Sequence, residues 1–268
     1  MRTPRLAGLG IATMATAALA LTGCGDTGSG STAAPGASAP ASTGSSASAA
    51  DPAAVEALTK GTSQLGTTSF KITATSGPGF KLTGQVDPAQ GVGTADLAAN
   101  GTNASLTVKT LLAGQDLYVQ IPGITKASTW THIDVARLPE GANIGLRPGQ
   151  LDPVNTSKLL SSATDVQSTG GNSYAGTLDL TKAVGLAGVS QVTIDESGAQ
   201  AQKVPFTAGL DDQGRLAELT IQIPAVNGQA AQPLNVLYTD YGVPVTVTKP
   251  AASEVTEAPD SVYSSLGG

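Results

Sequence analysis

Apolar and polar residues alternate one by one through much of the chain after residue 66, and this period constrains the fold most strongly. The first run alternates Phe70, Ile72 and Ala74 with Lys71 and Thr73. Because neighbouring side chains of a β-strand point to opposite faces of a sheet, such a run has one apolar and one polar side. Antiparallel sheets with one face in water show this pattern. We therefore predict a one-sided antiparallel sheet in an α+β fold.

The two-residue period recurs in about ten segments. Turn signals separate these segments, among them Asp212-Gln213-Gly214, which is typical of a β-hairpin. The predicted strands cover residues 70–75, 80–86, 91–99, 106–109, 117–121, 174–180, 204–210, 216–223, 234–241 and 243–249.

Three short helices are predicted beside these strands. Asp51-Pro52 combines an N-cap residue with a proline at the first helical position. Asp152-Pro153 is predicted to open a second helix that ends near Leu159-Leu160, and the third covers residues 181–187. A helix is ~10–12 Å wide and strands lie ~4.8 Å apart, so three helices cover roughly six of ten strands. The remaining apolar face must curl on itself, pair with another subunit or enclose something apolar.

The only cysteine of the chain, Cys24, stands where an uncharged N-terminal run ends. Two arginines precede the 16 uncharged residues 6–21, a pattern typical of a secretory signal peptide and shorter than the ~20 residues of a membrane-spanning helix. Leu21-Thr22-Gly23-Cys24 resembles the bacterial lipobox, in which the cysteine is diacylated before the signal is cut. We expect a signal peptide at 1–23 and lipidation of Cys24. The alternative is an ordinary signal peptide followed by a chance cysteine.

The residues after Cys24 divide the mature chain into three parts. Residues 25–50 contain no Val, Leu, Ile or aromatic residue and are too polar and small to form a core. As a flexible coil these 26 residues span roughly 30 Å. We predict that residues 24–50 are the lipidated cysteine and a flexible tether, that residues 51–250 form the folded domain, and that residues 251–268 are a flexible tail.

The charge of the chain excludes some partners. The formal net charge is −6, and residues 1–23 hold two of the 14 basic residues and none of the 20 acidic ones, so the mature chain carries −8. This charge disfavours nucleic acid and an anionic membrane surface as electrostatic partners. The abundance of Ala, Gly and Thr is typical of high-GC genomes such as those of actinobacteria.

Residues that could carry out catalysis are sparse. The only histidine, His132, is followed by Asp134, and such a pair could activate a serine. However, the chain has no Gly-x-Ser-x-Gly elbow, too few ligands for a zinc site and no glycine-rich phosphate loop after a strand. We favour a solvated strand end for His132 and predict no enzymatic activity, no cofactor and no metal. Tyr118 and Tyr241 are predicted to be exposed, for packing or for a partner surface.

A series of landmarks runs along the mature chain. In order, they are the lipobox cysteine and its tether, the first helix, Gly114-Gln115-Asp116-Leu117-Tyr118, Trp130, Leu151-Asp152-Pro153 with Leu159-Leu160, Tyr174-Ala175-Gly176, Lys203-Val204-Pro205, Gly214-Arg215-Leu216 and residues 245–250. Their order resembles that of the LppX/LprA/LprF/LprG family of actinobacterial lipoproteins. The resemblance implies a strongly curved antiparallel sheet, a half-barrel whose concave face is covered by helices around a hydrophobic cavity. It also implies binding and movement of acylated glycolipids or other long-chain lipids within the cell envelope.

The expected protein is therefore a lipid-anchored lipoprotein on the extracytoplasmic face of the cell membrane. Its expected partners are a long-chain lipid or glycolipid, the cell membrane through the acyl anchor, and an envelope transport protein. The alternative is a scaffold lipoprotein that binds a partner protein. Two stretches that look longer than in the family, 138–150 and 190–202, are expected to border the cavity mouth. The cavity candidates are Phe70, Ile72, Phe80, Leu82, Ala95, Leu97, Ala99, Leu106, Val108, Leu159 and Leu160.

Overall fold

The computed structural model of the chain describes residues 50–100, 105–122, 125, 129–138, 146–149, 151–183, 191–225 and 231–265. The predicted signal peptide, Cys24 and the tether up to residue 49 lie outside these residues. So do residues 139–145 and 150 of the first long loop, residue 190 of the second, and residues 184–187 of the predicted third helix.

The described residues form an α+β fold around one large sheet. The strands are β1 (Phe70–Ser76), β2 (Phe80–Asp87), β3 (Val92–Asn100), β4 (Ser105–Ala113), β5 (Asp116–Gln120), β6 (Trp130–Asp134), β7 (Ala163–Gly170), β8 (Ser173–Leu178), β9 (Val204–Leu210), β10 (Leu216–Ile223), β11 (Gln232–Thr239) and β12 (Val255–Glu257).

The sheet is mostly antiparallel, as predicted, and it is open. Its strand order is β12-β6-β5-β4-β3-β2-β1-β11-β10-β9-β8-β7, so β12 and β7 occupy opposite edges. Only the pairing of β12 with β6 is parallel among the described neighbours. The first five strands follow one another as an antiparallel meander, with no more than four residues between consecutive strands.

Helices are few and short in the described part of the chain: α1 (Pro52–Ser63), α2 (Thr156–Leu160), α3 (Gln191–Ser197) and α4 (Asp260–Ser265). The start of α1 is confirmed, since the Asp51 carboxylate accepts the N–H of Ala53 at 3.0 Å. The start of α2 was predicted too early. Asp152 closes a turn by accepting backbone N–H groups, and α2 begins only after Asn155, which has a left-handed backbone with φ of 56°.

Two other helical segments fall near predicted features. A short 3-10 turn, Leu180–Lys182, occupies the start of the predicted third helix. The stretch predicted as an expanded loop at 190–202 contains α3 and a second 3-10 turn, Gly198–Gln202.

One face of the sheet, which we call the core face, carries the hydrophobic core. Phe70, Val86, Leu112 and Leu117 come from four different strands, and none is more than 1% exposed. They lie side by side because Phe70 pairs with Val86 and Leu112 pairs with Leu117 in the strand register. Helix α1 packs on this face through Ala54 and Leu58, among other residues. The alternating pattern therefore identifies the buried face of the meander correctly.

The strand count was predicted slightly low, since the described residues contain twelve strands rather than about ten. Strand β7 was not predicted because it has no alternation: Val166 is its only buried residue, and its pairing with β8 shifts register twice. A polar, irregular strand is typical of a sheet edge, where regular pairing would attract another chain. Strand β6 covers the region in which His132 was predicted to lie at a strand end.

The predicted last strand, at 243–249, is wrong, because β11 already pairs with β1 on one side and β10 on the other. No edge of β11 is free to receive it. The chain turns at Asp240 and Gly242, which both have positive φ, and continues as an extended segment outside the ladder.

This extended segment begins what we call the C-terminal strap, residues 243–265. The Ser69 hydroxyl, just before β1, donates to the carbonyl of Val243 at 2.8 Å, and Lys249 reaches Asp116 at the start of β5. Four strand spacings separate β1 from β5, about 19 Å, and six extended residue steps span roughly the same distance. The strap therefore crosses the strands, on the face opposite the core, where Val245 and Leu111 are buried.

Residues 251–265 of the tail predicted at 251–268 contain regular secondary structure. Strand β12 lies within the strap and pairs with β6, and the N–H of Ala258 donates to the carbonyl of His132. In α4, Tyr263 is buried, and its hydroxyl accepts the N–H of Asp134 at 3.0 Å. The sparse apolar residues gave no periodic signal, because among residues 251–265 only Ala258 and Tyr263 are buried in the core.

Candidate functional site

The core face is not equally covered along the strands β2, β3 and β4. At one end, Val86 and Leu112 are fully buried. At the other end, Phe80 pairs with Ala99 and Ala99 pairs with Leu106, so these three residues form a row across the strands. Phe80 and Ala99 are only half-buried, and Leu106 is 42% exposed. We call this row and its half-buried neighbours Leu97 and Val108 the open row.

A small apolar cavity of about 120 Å³ lies beside the open row. Phe80, Leu82 and Leu97 form its wall on strands β2 and β3, so three of the predicted cavity residues are brought together here. Pro153 and Val154, from the segment before α2, form the opposite wall. Ala74 and Leu234 complete its lining.

A larger groove of about 310 Å³ lies between α1, α2 and β7. Its apolar lining includes Val55, Leu58 and Leu160, and its polar lining comes from threonine and serine hydroxyls. It adjoins the entry of the chain into the fold, where the N–H of Asp51 donates to the carbonyl of Val166 at 2.8 Å. Of the predicted cavity residues, only Leu160 lines this groove.

The other predicted cavity residues lie in closely packed surroundings. Phe70, Ile72, Ala95 and Leu159 belong to the core cluster, and none is more than 8% exposed. A side chain larger than alanine at position 95 would meet crowded neighbours, because Ala95 pairs with Gly84, whose own missing Cβ would touch Ile72. The structure therefore divides the eleven predicted positions among the small cavity, the open row, the groove and the packed core.

His132 lies in a charged cluster rather than at a solvated strand end. Its Nδ1 is 2.8 Å from Glu257 of β12, and its Nε2 is 2.9 Å from Asp116 of β5. Asp116 also pairs with Lys249 of the strap. Partial burial opposes protonation of His132, but the hydrogen bonds to Glu257 and Asp116 outweigh it and raise its pKa. The hydrogen bonds from Lys249 and His132 lower the pKa of Asp116.

This arrangement does not match a His–Asp–Ser catalytic set. A neutral imidazole has one donor and one acceptor nitrogen, so two carboxylates are satisfied together only by the protonated ring. Both nitrogens of His132 are engaged in this way, and Asp134 instead caps a turn by accepting the N–H of Ala136. The cluster joins the strap to the sheet.

The prediction that Tyr118 and Tyr241 are exposed is wrong. Tyr118 is buried, with its ring 5.1 Å from that of His132. Tyr241 is half-buried, and its hydroxyl donates to the carbonyl of Leu216. Alternation indicates which face a strand residue occupies, but it does not show that the strap covers the opposite face near Tyr118.

A buried polar cluster was missed by the sequence analysis. Asp152, Thr156 and Tyr238 are joined by hydrogen bonds inside the core face. Asp152 was predicted only as the start of a helix, and Tyr238 only as a member of a strand. The two positions are 86 residues apart, and no local pattern connects them.

The described part of the chain shows neither a metal site nor a membrane-spanning helix. It has no group of three or more His, Cys, Asp or Glu side chains placed to hold a metal ion. Within the same residues, no helix is both long enough and apolar enough to cross a membrane. No protein-family model matches the chain, and no curated protein sequence matches it significantly.

Proposed function

We propose that this protein is a membrane-anchored lipoprotein that binds the acyl chains of a lipid or glycolipid on its core face and carries or presents the lipid in the cell envelope. The observation that carries the proposal is the partly exposed end of the core face: the open row borders an apolar cavity lined by Phe80, Leu82 and Leu97. Half-buried and exposed apolar side chains in register beside a cavity favour an apolar ligand over water.

The shape of the site is part of the proposal. Open sheets rarely exceed about ten strands without curling, because strands twist relative to one another. The sheet has twelve strands in the described residues and helices on its core face. We therefore propose a strongly curved half-barrel with the core face on its concave side and the lipid site inside it.

The size of the cavity limits how lipid binds. An apolar cavity of about 150 Å³ holds one benzene molecule, so 120 Å³ admits only part of an acyl chain without rearrangement. Each buried methylene contributes about 0.8 kcal/mol. Roughly ten methylenes along the open row and cavity would contribute about 8 kcal/mol, equivalent to a Kd of about 1 μM before ordering costs.

The N-terminus supports placing this site at a membrane. The lipobox-like residues before Cys24 and the polar tether after it are the features expected of an acylated anchor on the extracytoplasmic face. The tether meets the folded part at Asp51, beside the groove between α1, α2 and β7. Acyl chains attached to Cys24 would hold the domain on the membrane stably, because two or more chains anchor where one does not.

Changing the cysteine tests the anchor. Cys24→Ala should leave an uncleaved precursor or a secreted protein without acyl chains, because the acylated residue is missing. Membrane fractionation with mass measurement distinguishes these outcomes from the wild type. Normal processing and membrane retention of the variant would refute the anchor.

Native mass spectrometry tests the lipid site. The mature chain, residues 24–268 with Cys24→Ser, is purified from its host and should carry lipid mass. Leu97→Trp should reduce the lipid-bound fraction several-fold, because the indole occupies cavity space. Leu237→Trp is the matched control, since Leu237 is 48% exposed on the opposite face of the sheet.

A second candidate function is a scaffold lipoprotein that binds a partner protein. The close packing of Phe70, Ile72 and Ala95 favours it, because that part of the core face leaves no room for a ligand. A bare protein mass in the same experiment, with no lipid recovered by extraction, would reject lipid binding in favour of this candidate.

A further inference from the structure

A buried set of hydrogen bonds attaches the segment that covers the apolar cavity to the sheet. The two carboxylate oxygens of Asp152 accept the backbone N–H groups of Val154 at 3.0 Å and of Thr156 at 2.7 Å. The hydroxyl of Tyr238, on the core face of β11, donates to Asp152 at 3.3 Å. The side chain of Thr156 is hydrogen-bonded to the same Tyr238 hydroxyl.

The donor and acceptor roles in this set follow from the chemistry of its groups. An ionised carboxylate only accepts hydrogen bonds, so the Tyr238 hydroxyl directs its proton to Asp152. The Thr156 hydroxyl then donates to the oxygen of Tyr238. Removing the Tyr238 hydroxyl therefore removes a donor from Asp152 and the acceptor of Thr156 in one step.

The set is deeply buried. Thr156 is 0% and Tyr238 is 2% exposed. Burial raises the pKa of Asp152, and the hydrogen bonds from Thr156, Val154 and Tyr238 oppose that rise. Removing one member of a buried hydrogen-bonded set leaves its partners unsatisfied, so each member helps to hold the segment in place.

The position of the set connects it to the proposed lipid site. Pro153 and Val154 lie between the two residues that Tyr238 holds, and they form the wall of the cavity opposite Phe80, Leu82 and Leu97. The cavity is too small for an acyl chain while Pro153 and Val154 stay in place. Full entry of a chain requires the cavity to widen, and the hydrogen bonds at Tyr238 attach this wall to the sheet.

We propose that Asp152, Thr156 and Tyr238 form a latch that holds Pro153 and Val154 over the cavity, and that opening of the latch admits the acyl chain. This inference rests on the proposed lipid-binding function and names the residues that control its site. Tyr238 is a positioning residue, because it contacts Asp152 and Thr156 and does not line the cavity. The lipid-binding wall itself comes from β2, β3 and Pro153–Val154.

Two measurements on residues 24–268 carrying Cys24→Ser test the latch. Hydrogen exchange at the amides of Val154 and Thr156 reports opening of the segment without any ligand. Stopped-flow uptake of parinaric acid, a naturally fluorescent long-chain fatty acid, by delipidated protein reports admission of a chain. Tyr238→Phe and Asp152→Asn should each accelerate exchange at these amides by about five- to tenfold, the effect of losing a buried hydrogen bond.

Both variants should also accelerate uptake of parinaric acid by a similar factor, although each lowers the melting temperature. A merely structural effect would accelerate uptake equally in any variant with the same loss of melting temperature. Tyr241→Phe is the matched control, because it removes a hydroxyl that donates to Leu216 in β10. It should leave both rates unchanged. If Asp152→Asn does not fold, Tyr238→Phe alone decides.

The outcomes separate the latch from the proposed function. Uptake by the wild type with an unchanged rate in Tyr238→Phe would overturn the latch and leave lipid binding intact. Unchanged amide exchange in Tyr238→Phe would likewise overturn it. If neither the wild type nor any variant takes up parinaric acid, while the exchange is accelerated, the lipid-binding function fails and the gating role fails with it.

Discussion

The two ends of strands β2, β3 and β4 have the same apolar alternation and different surroundings. On β4, Leu112 and Leu106 occupy the same face, yet Leu112 is fully buried and Leu106 is 42% exposed. At the closed end, the buried neighbours include Val135 and Ile133, and α4 places Tyr263 against Asp134. At the open end, the described cover is the short Pro153–Val154 segment. Apolar side chains on one strand can therefore differ in role: stability at the closed end and, in the proposed function, ligand contact at the open end.

The largest expected effect comes from substitutions at the two ends of β4. Leu112→Ala should lower the free energy of unfolding by ~2–5 kcal/mol, because it leaves a void among fully buried neighbours. Leu106→Ala is the matched control on the same strand and face, and it should cost less than about 0.5 kcal/mol. Chemical denaturation of both variants measures the difference. Equal losses would show that the two ends are covered alike.

Two tryptophan substitutions on β3 test the same difference between the ends, and their expected effect on stability is intermediate. Ala95 and Ala99 share one face, but only Ala95 lies in the packed core. Ala95→Trp should overpack this core and cost ~1–3 kcal/mol or more. Ala99→Trp should leave stability nearly unchanged and reduce the lipid-bound fraction, because its indole would cover the open row.

Thermal melts of delipidated and lipid-loaded protein, together with extracted-lipid quantification, check this pair, since bound ligand itself raises apparent stability. A stable Ala95→Trp protein that loses its lipid would move the cavity to the closed end. An Ala99→Trp protein with a full lipid complement would remove the open row from the site.

The smallest expected effect concerns the charges that fasten the strap at the closed end. The pKa of His132 is raised in the folded protein, so its contribution to stability is fully present below pH ~6.5 and is lost as pH rises through the folded pKa. Because Glu257 is largely exposed, we expect this contribution to be only about 0.5 kcal/mol.

Denaturation from pH 5 to pH 9 should therefore show wild-type stability falling relative to His132→Ala, whose fold and lipid content should stay intact. Asp179→Asn is a control for a general charge effect, because Asp179 pairs with Lys182 far along the chain from the strap. Parallel pH profiles of wild type and His132→Ala would contradict the assignment of the raised pKa to this cluster.

Local rules predicted the strands and turns of this protein well where each strand has one buried face. The alternation at Phe70, Ile72 and Ala74 indicates a strand and its buried side from the side-chain geometry alone. The same rules failed for β7, which is polar because it lies at an edge, and for residues 243–249, which alternate but follow a strand, β11, that is already paired on both sides. Edge position and the availability of a partner strand are properties of the whole sheet.

The candidate site was likewise predicted only in part from the sequence. The sequence by itself determined that the strands have an apolar face, that Asp51-Pro52 starts a helix and that Cys24 stands at the end of a signal-like run. Only the tertiary structure decided which apolar residues are packed and which are open, because burial depends on the segments that cross the sheet. It also decided that Asp152 and Tyr238 meet, since residues 86 positions apart are brought together by the packing of one segment on another and by no local preference.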